Sequence, residues 1–391
     1  MSEWKEYTIG EICLRFSSGK SIKASQISAE GLYPVYGGNG LRGFTDTFNF
    51  DGECSIIGRQ GAYCGNVRYF KGKAFMTEHA IVAVVNENHN NGYVSNLLSM
   101  MNLAQYQGQS AQPGLSVSTL SKLTIKLPDL ATQEQCFNVV NLLDKKIQTN
   151  NQINQELEAM AKTLYDYWFV QFDFPDQNGK PYKSSGGKMV YNPELKREIP
   201  EGWGVTKLNE VVDLISGYPF SSNDYVTSGK YKLYTIKNVQ DGYTVDKVDN
   251  YLDFLPSNMS HECQLRRGDL IMSLTGNVGR VGMVYEDDVL LNQRVLKLNP
   301  FNKTHKSFIY SFFRSDVTKA HLENMSTGTS QKNLSPIDIG NMMIPFPSES
   351  LLSKFLDNLN MLENNFVENQ QLTQLRDWLL PMLMNGQVKV K

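Results

Sequence analysis

From residue 132 to residue 170 the apolar side chains keep a fixed beat. Cys136, Val140, Leu143, Ile147, Asn150, Asn154, Leu157, Ala161, Leu164 and Trp168 follow one another by alternating steps of four and three, the spacing of an a/d seam in a coiled coil. This predicts a long helix with a single partner-facing stripe. Two asparagines interrupt the stripe, and a polar residue buried at such a position costs stability while fixing register and orientation. Asn150 and its later counterpart Asn369 are therefore expected to lock two helices into one alignment.

Upstream the pattern changes. Tyr33-Pro-Val-Tyr36, Cys54-Ser-Ile-Ile57 between Gly52 and Gly58, Gly65-Asn-Val-Arg-Tyr-Phe70 and Ala80-Ile-Val-Ala-Val-Val85 are short β-type runs closed by turn residues. Residues 93–106 place apolar side chains three and four apart, as a helix does. The module is expected to be strand-rich α+β with one embedded helix.

The chain then repeats itself. Gln112, Leu115, Ser116, Ile125 and Pro128 return 219 residues later as Gln331, Leu334, Ser335, Ile344 and Pro347, and Ile147 and Asn150 return as Phe366 and Asn369. The opening Trp4, Ile9, Glu11 and Ile12 are matched by Trp203, Leu208, Glu210 and Val211. So long a period marks a duplicated domain rather than a solenoid. The expected fold is α+β, two strand-rich modules in a pseudo-two-fold repeat, separated by two long antiparallel coiled-coil helices. Its expected parts are module one (1–131), helical spacer one (132–172), a linker dense in Pro, Gly and Ser (173–202), module two (203–347) and helical spacer two (348–391). A helix of about 35 residues is ~50 Å long, enough to serve as a ruler on DNA, whose helical repeat is ~34 Å.

Composition narrows the function. The 391 residues are 41% hydrophobic, ample for two cores. Net charge is −2; residues 1–131 carry 11 basic and 10 acidic side chains, and residues 200–347 carry 15 and 16. A nucleic-acid binder is usually more basic, so any DNA grip must lean on base contacts or on a partner. Cys13, Cys54, Cys64, Cys136 and Cys263 show no metal or disulfide spacing. No apolar run approaches a membrane span, and a cytoplasmic protein is expected.

Catalytic signatures fail their context tests. Gly38-Asn-Gly40-Leu-Arg-Gly43 matches a dinucleotide fingerprint, but turn-and-strand sequence follows where a helix is required. Asp176, Glu194 and Lys196 imitate a nuclease metal set, yet they lie in the linker, where carboxylates are not rigidly paired for an ion. No metal site and no catalytic residue are expected. Recurrent loops of hydrogen-bonding side chains among glycines remain. In the first module they supply Asn39, Arg42, Arg59, Gln60, Tyr63, His79, Ser110 and Gln112. In the second they supply Lys237, Asn238, Thr275, Asn277, Arg280, Asn292, Gln293, Arg294, Thr329, Ser330, Gln331 and Lys332. Arginine pairs with guanine, Asn and Gln with adenine, while Lys, Ser and Thr suit phosphates. Arg59-Gln60-Gly61 stands where Leu274-Thr275-Gly276 stands, and Thr77-Glu78-His79 where Asn292-Gln293-Arg294 stands. One scaffold with different readers suits two half-sites of unrelated sequence.

Several segments carry a family resemblance. They are Leu164-Tyr-Asp-Tyr-Trp168-Phe-Val-Gln-Phe-Asp-Phe174-Pro, Asn178-Gly-Lys-Pro-Tyr182, Gly186-Gly-Lys-Met-Val-Tyr191, Ile199-Pro-Glu-Gly-Trp203, the doubled module ends and Trp378-Leu-Leu-Pro-Met-Leu383. With them the chain resembles, over essentially its full length, the specificity (HsdS) subunits of type I restriction-modification systems. The resemblance implies a non-catalytic subunit with two target recognition domains, each reading half of a split double-stranded DNA sequence. It implies two methyltransferase subunits that carry S-adenosylmethionine, and motor-nuclease subunits that use ATP and magnesium. Trp168, Phe169, Phe172, Trp378, Leu379 and Leu380 are the expected docking contacts. A related fused restriction-methyltransferase system, or a protein scaffold without DNA contact, are the alternatives.

Overall fold

The structure is a computed structural model that describes residues 4–61, 63–108, 114–328, 332–355 and 357–390. It divides into two compact units, Met1–Gln148 with Gln370–Lys391, and Thr149–Asn369. The division falls inside the two long helices, so each unit owns a module and a stretch of both helices. The boundary expected at 173–202 is not where the halves part.

In unit 1 a six-stranded sheet runs Cys13–Ser18, Ala80–Val85, Phe50–Gly58, Val67–Met76, Tyr33–Gly37, Gly40–Thr45. Pairing is antiparallel except between Tyr33–Gly37 and Val67–Met76, which run parallel. The almost unbroken apolar run Ala80–Val85 is explained by its place: Ile81 and Val85 face one core with Tyr93, Val94 and Leu98, while Ala80 and Val82 face another with Cys54, Ile56 and Met76. Helix Asn91–Met100 covers the first of these, and its start is capped by Asn90, whose side chain accepts from Tyr93 N–H at 2.8 Å. A ribbon of Lys5–Thr8 with Thr124–Leu127 carries the chain to the first long helix, Leu130–Tyr165. There the Asp129 carboxylate accepts from Thr132 N–H at 2.8 Å, and buried Gln133 bridges Asn90 N–H and Pro128 O.

Unit 2 repeats several of these backbone bonds at equivalent positions. Gly19 N–H donates to Ala80 O at 3.0 Å, and Gly217 N–H to Val295 O at 3.1 Å. Thr77 N–H donates to Tyr36 O as Asn292 N–H does to Tyr234 O. The ribbon recurs as Gly204–Lys207 with Met343–Phe346. Where unit 1 has one long strand, Val67–Met76, unit 2 has two short ones, Val281–Met283 and Val289–Leu291, in separate sheets. After the strands of unit 2 a helix runs Lys306–Arg314, and a further helix, Asp316–Met325, follows it.

The segment 173–202, expected to be linker, is ordered. Asp173 accepts from Ser184 N–H and Oγ at 2.7 and 2.5 Å, Phe174 stacks between Tyr182 and Trp203 at 4.7 and 5.4 Å, and Met189–Asn192 pairs with Arg197–Pro200. Its prolines and glycines shape turns, and its aromatics anchor it.

The nine seam positions of the first long helix, and Trp168 just beyond its end, are buried or half-buried. The second long helix, Asp357–Met384, runs antiparallel to it within each unit. In unit 1, Asp144 pairs with Arg376 at 3.0 Å and Cys136 lies against Leu383. In unit 2, Asn150, Asn151 and Asn154 meet Glu368, Asn369 and Asn365. Among the described residues no helix is long and apolar enough to cross a membrane.

Candidate nucleic-acid interface

Strand ends gather the loop residues of unit 1 at one end of its sheet. Strand Phe50–Gly58 runs into Arg59-Gln60-Gly61, and the chain returns through Gly65 to Val67–Met76; Gly61 and Gly65 both need positive φ, +82° and +84°. The turn Thr77–His79 closes beside them, because Arg59 N–H donates to His79 O at 3.0 Å. His79 Nδ1 meets Gln60 Oε1 at 3.1 Å, and its Nε2 lies 3.5 Å from Glu78. The hairpin turn at Gly38 packs on the same place: a Cβ there would stand 3.1 Å from both Gln60 O and His79 O. Asn39 and Arg42, both exposed, project from that hairpin, and Tyr63 is exposed on the neighbouring loop. Asn39, Gln60, His79 and Arg59 are thus brought together. Ser110 and Gln112 lie outside the described residues.

Arg59 is held more tightly than a free reader. Its Nε donates to Leu115 O and its NH1 to Ser18 Oγ, both at 3.3 Å. In unit 2 its place is taken by buried Leu274, whose N–H and O repeat the same backbone bonds, to Arg294 O and from Leu334 N–H. This position is a strut in both copies.

Unit 2 presents the equivalent end with other side chains. Asn277, Gln293, Arg294 and Lys332 are exposed, and Arg280 and Asn292 half-buried. Gly276 and Gly279, at φ +74° and +75°, repeat the conformations of Gly61 and Gly65. Asn277, Arg280 and Lys332, with Gln240, Tyr243, Lys319 and Glu323, line an open cleft of about 650 Å³. Thr275 is buried beside Asn333.

One expectation in this loop set is corrected. Asn238 is buried and spends its side chain on a turn, accepting from Thr235 N–H at 3.0 Å and donating to Val245 O and Lys247 O at 2.9 and 3.0 Å. Lys237 is exposed but paired with Asp249 at 2.7 Å. Thr329, Ser330 and Gln331 lie outside the described residues. Gln240, Tyr243 and Lys319, which line the unit 2 cleft, were not among the residues expected from the sequence.

Behind the cleft, Asp241 binds Lys319 and Arg314 at 2.7 and 2.8 Å, and Arg314 also pairs with Glu158 of the first long helix. Burial pushes the Asp241 carboxyl up, but the two cations more than offset this and hold it below its ordinary value. The chain of charges ties the cleft to the helix within unit 2.

The expected docking residues separate into two groups. Phe169 and Phe172 are buried, Phe169 against Phe308 and Phe355 at 5.0 and 5.1 Å and Phe172 against Trp203 at 5.3 Å. They close the junction between helix and module and are not available to a partner, which corrects that expectation. Trp168 packs on the same core, half-buried. Trp378, by contrast, is 63% exposed beside exposed Leu375, while Leu379 and Leu380 are half-buried on the core of unit 1.

Asp176 caps its own turn, accepting from Asn178 N–H and Lys180 N–H at 2.8 Å. No cluster of His, Cys, Asp and Glu able to hold a metal occurs among the described residues.

Such an architecture, one scaffold built twice with polar loop clusters at equivalent sheet ends, defines a two-module recognition protein. The type I restriction modification DNA specificity domain matches residues 1–159 and 200–375, and the chain belongs to that family. It is 40% identical over 157 residues to the type I restriction enzyme EcoprrI specificity subunit of Escherichia coli, an alignment spanning 39% of this chain and only 38% of that subunit. It is 24% identical over 330 residues to the HindI specificity subunit of Haemophilus influenzae, covering 71% of each. The fold is that of the type I restriction-modification S subunit from M. genitalium, with a TM-score of 0.60 over 98% of this chain and 96% of that one at 16% identity.

Proposed function

We propose that this chain is the non-catalytic DNA-reading subunit of a type I restriction-modification complex, each unit contacting one half of a split duplex target through the loop cluster at its sheet end. The carrying observation is the set of equivalent posts. The backbone bonds that place Thr77 and His79 recur for Asn292 and Arg294, while the side chains differ. A duplicated scaffold with unlike side chains suits two unlike half-sites, since base edges are read by side-chain chemistry. The long helices set the unspecified gap, and exposed Trp378 with its neighbours Leu379 and Leu380 docks methyltransferase subunits, because an exposed apolar patch is best kept where a partner covers it. Those subunits hold S-adenosylmethionine; motor-nuclease subunits, where present, use ATP and magnesium. A net charge of −2 fits a subunit that shares its DNA grip with them.

The test is duplex binding by the assembled complex with one half-site randomised at a time. Arg294→Ala is expected to lose about 1–3 kcal/mol of discrimination in the second unit's half-site alone. Unchanged duplex binding in that variant and in Gln60→Ala would favour a scaffold without DNA contact.

A further inference from the structure

The side chains of Gln60 and His79 meet at the sheet end of unit 1, where His79 Nδ1 lies 3.1 Å from Gln60 Oε1. An amide oxygen can only accept, so Nδ1 carries the hydrogen whether the ring is neutral or charged. Across the ring, Nε2 lies 3.5 Å from Glu78 Oε1, and the imidazole is held from both edges.

This contact is not required by the scaffold. Arg59 N–H donates to His79 O as Leu274 N–H does to Arg294 O, and Leu115 N–H donates to Arg59 O as Leu334 N–H does to Leu274 O. Gln60 bridges Gly114 where Thr275 bridges Asn333. Thr275 and Arg294 therefore stand at the positions of Gln60 and His79. There the Thr275 hydroxyl is buried without a partner among the described residues, while Arg294 is exposed. Backbone bonds hold the turns together in both units, and unit 2 keeps the same arrangement with no bond between these two side chains.

The bond limits what Gln60 can read. A free glutamine turns its amide to suit adenine, donating to N7 and accepting from the N6 amino group. In Gln60 the oxygen faces His79, and Nε2 is neither bonded nor buried among the described residues. The space beside it is open, since a Cβ built on Gly61 would meet nothing nearer than Asn39 Oδ1 at 3.6 Å. Gln60 thus turns its acceptor aside and presents two N–H donors.

We infer that His79 is a positioning residue that fixes the Gln60 amide and makes Gln60 a donor-only reader, contacting the keto-bearing base of one pair, guanine or thymine, in the first unit's half-site. In the major groove guanine offers O6 and N7 and thymine offers O4 as acceptors, where adenine and cytosine carry an amino group. An amino group at that place would set donors against donors and leave both without partners. Fixing the amide in advance also lowers the ordering cost of binding. The inference rests on the function proposed above and goes beyond it by naming one reader, the group that orients it and the edge it reads; it replaces the adenine pairing that the residue type alone suggests.

The experiment uses the full chain assembled with its methyltransferase partner. The split motif is mapped by single-molecule sequencing of methylated adenines, and Gln60→Ala should relax one base pair in one half about tenfold and leave the other half intact. Duplexes with an analogue at that pair then show which edge is read. Removing the keto oxygen, with 2-aminopurine for guanine or 5-methyl-2-pyrimidinone for thymine, should weaken binding by the unaltered chain beyond any effect on Gln60→Ala. Removing the amino group of the opposite base should affect both alike. His79→Asn keeps a donor at the place of Nδ1 and should preserve the preference. His79→Asp has the same shape but only accepts; it should turn the amide over, so that the preferred base on the strand read changes from keto to amino. Gln60→Glu should make the same change with His79 intact. A motif unchanged in Gln60→Ala, a Gln60-dependent loss on removing the amino group, or one motif shared by His79→Asn, His79→Asp and Gln60→Glu overturns the inference alone. No split motif from the unaltered chain overturns the proposed function as well.

Discussion

The side-chain amide of Asn369 donates to Asn151 Oδ1 at 2.8 Å, next to the point where the Asn150 amide donates to Glu368 at 2.6 Å. Asn150 and Asn369 are counterparts in the repeat, and they interlock through each other's chain neighbours in the most polar stretch of the seam. Asn150 is 1% exposed. Asn150 Oδ1, Asn154 Nδ2 and Asn369 Oδ1 are buried without a hydrogen-bond partner among the described residues, which is costly.

Replacing both, Asn150→Leu with Asn369→Leu, is therefore predicted to stabilise the protein by about 1–2 kcal/mol, seen as a higher denaturant midpoint. A lower midpoint would mean that the surviving amide bonds outweigh the unpaired atoms.

Asp241 predicts an acid-dependent step. Its carboxyl is held below the ordinary value by Lys319 and Arg314 in spite of burial, so its folded pKa is lower than the unfolded value of about 3.9. Stability from this group is complete above the unfolded value and is lost as pH falls through the folded one. Thermal midpoints between pH 6 and 3 should fall less steeply for Asp241→Asn than for the unaltered chain; parallel curves would remove Asp241 from the account.

Trp378 and Phe169 should behave oppositely. Phe169 is 3% exposed, and Phe169→Ala should cost about 3–5 kcal/mol through the cavity it leaves. Trp378→Ser should change stability by no more than about 0.5 kcal/mol yet reduce the methyltransferase that co-purifies with the chain. Full co-purification with Trp378→Ser would place the docking surface elsewhere.

Gly217 and Gly19 hold equivalent close approaches. A Cβ on either would stand 2.1 Å from a backbone oxygen, Asn292 O or Met76 O, and backbone cannot yield as a side-chain tip can. Gly217→Ala should cost about 2 kcal/mol or more and blur only the half-site read by unit 2, because Asn292 would shift with it. An unaltered motif and melting curve would contradict this.

The sequence made the seam and the doubled module legible because heptad spacing and a fixed repeat offset are local or linear signals. It misplaced what depends on long-range pairing. Residues 173–202 look like linker because Pro, Gly and Ser report turns, whereas the stacking of Phe174 between Tyr182 and Trp203 leaves no linear trace. Asn238 has the composition of a reader, yet a short amide serves equally well to bridge Val245 and Lys247. Apolar stripes did not say which aromatics the chain covers itself, so Phe169 and Trp378 read alike.

The central claim, two units reading two half-sites, is tested most directly by co-expressing the chain with its methyltransferase partner and mapping methylated adenines by single-molecule sequencing. The account predicts a single split motif with a fixed gap, one half of which changes when residues 203–347 are exchanged for those of another family member. A continuous motif, or a complex that forms but methylates no defined sequence, would contradict it.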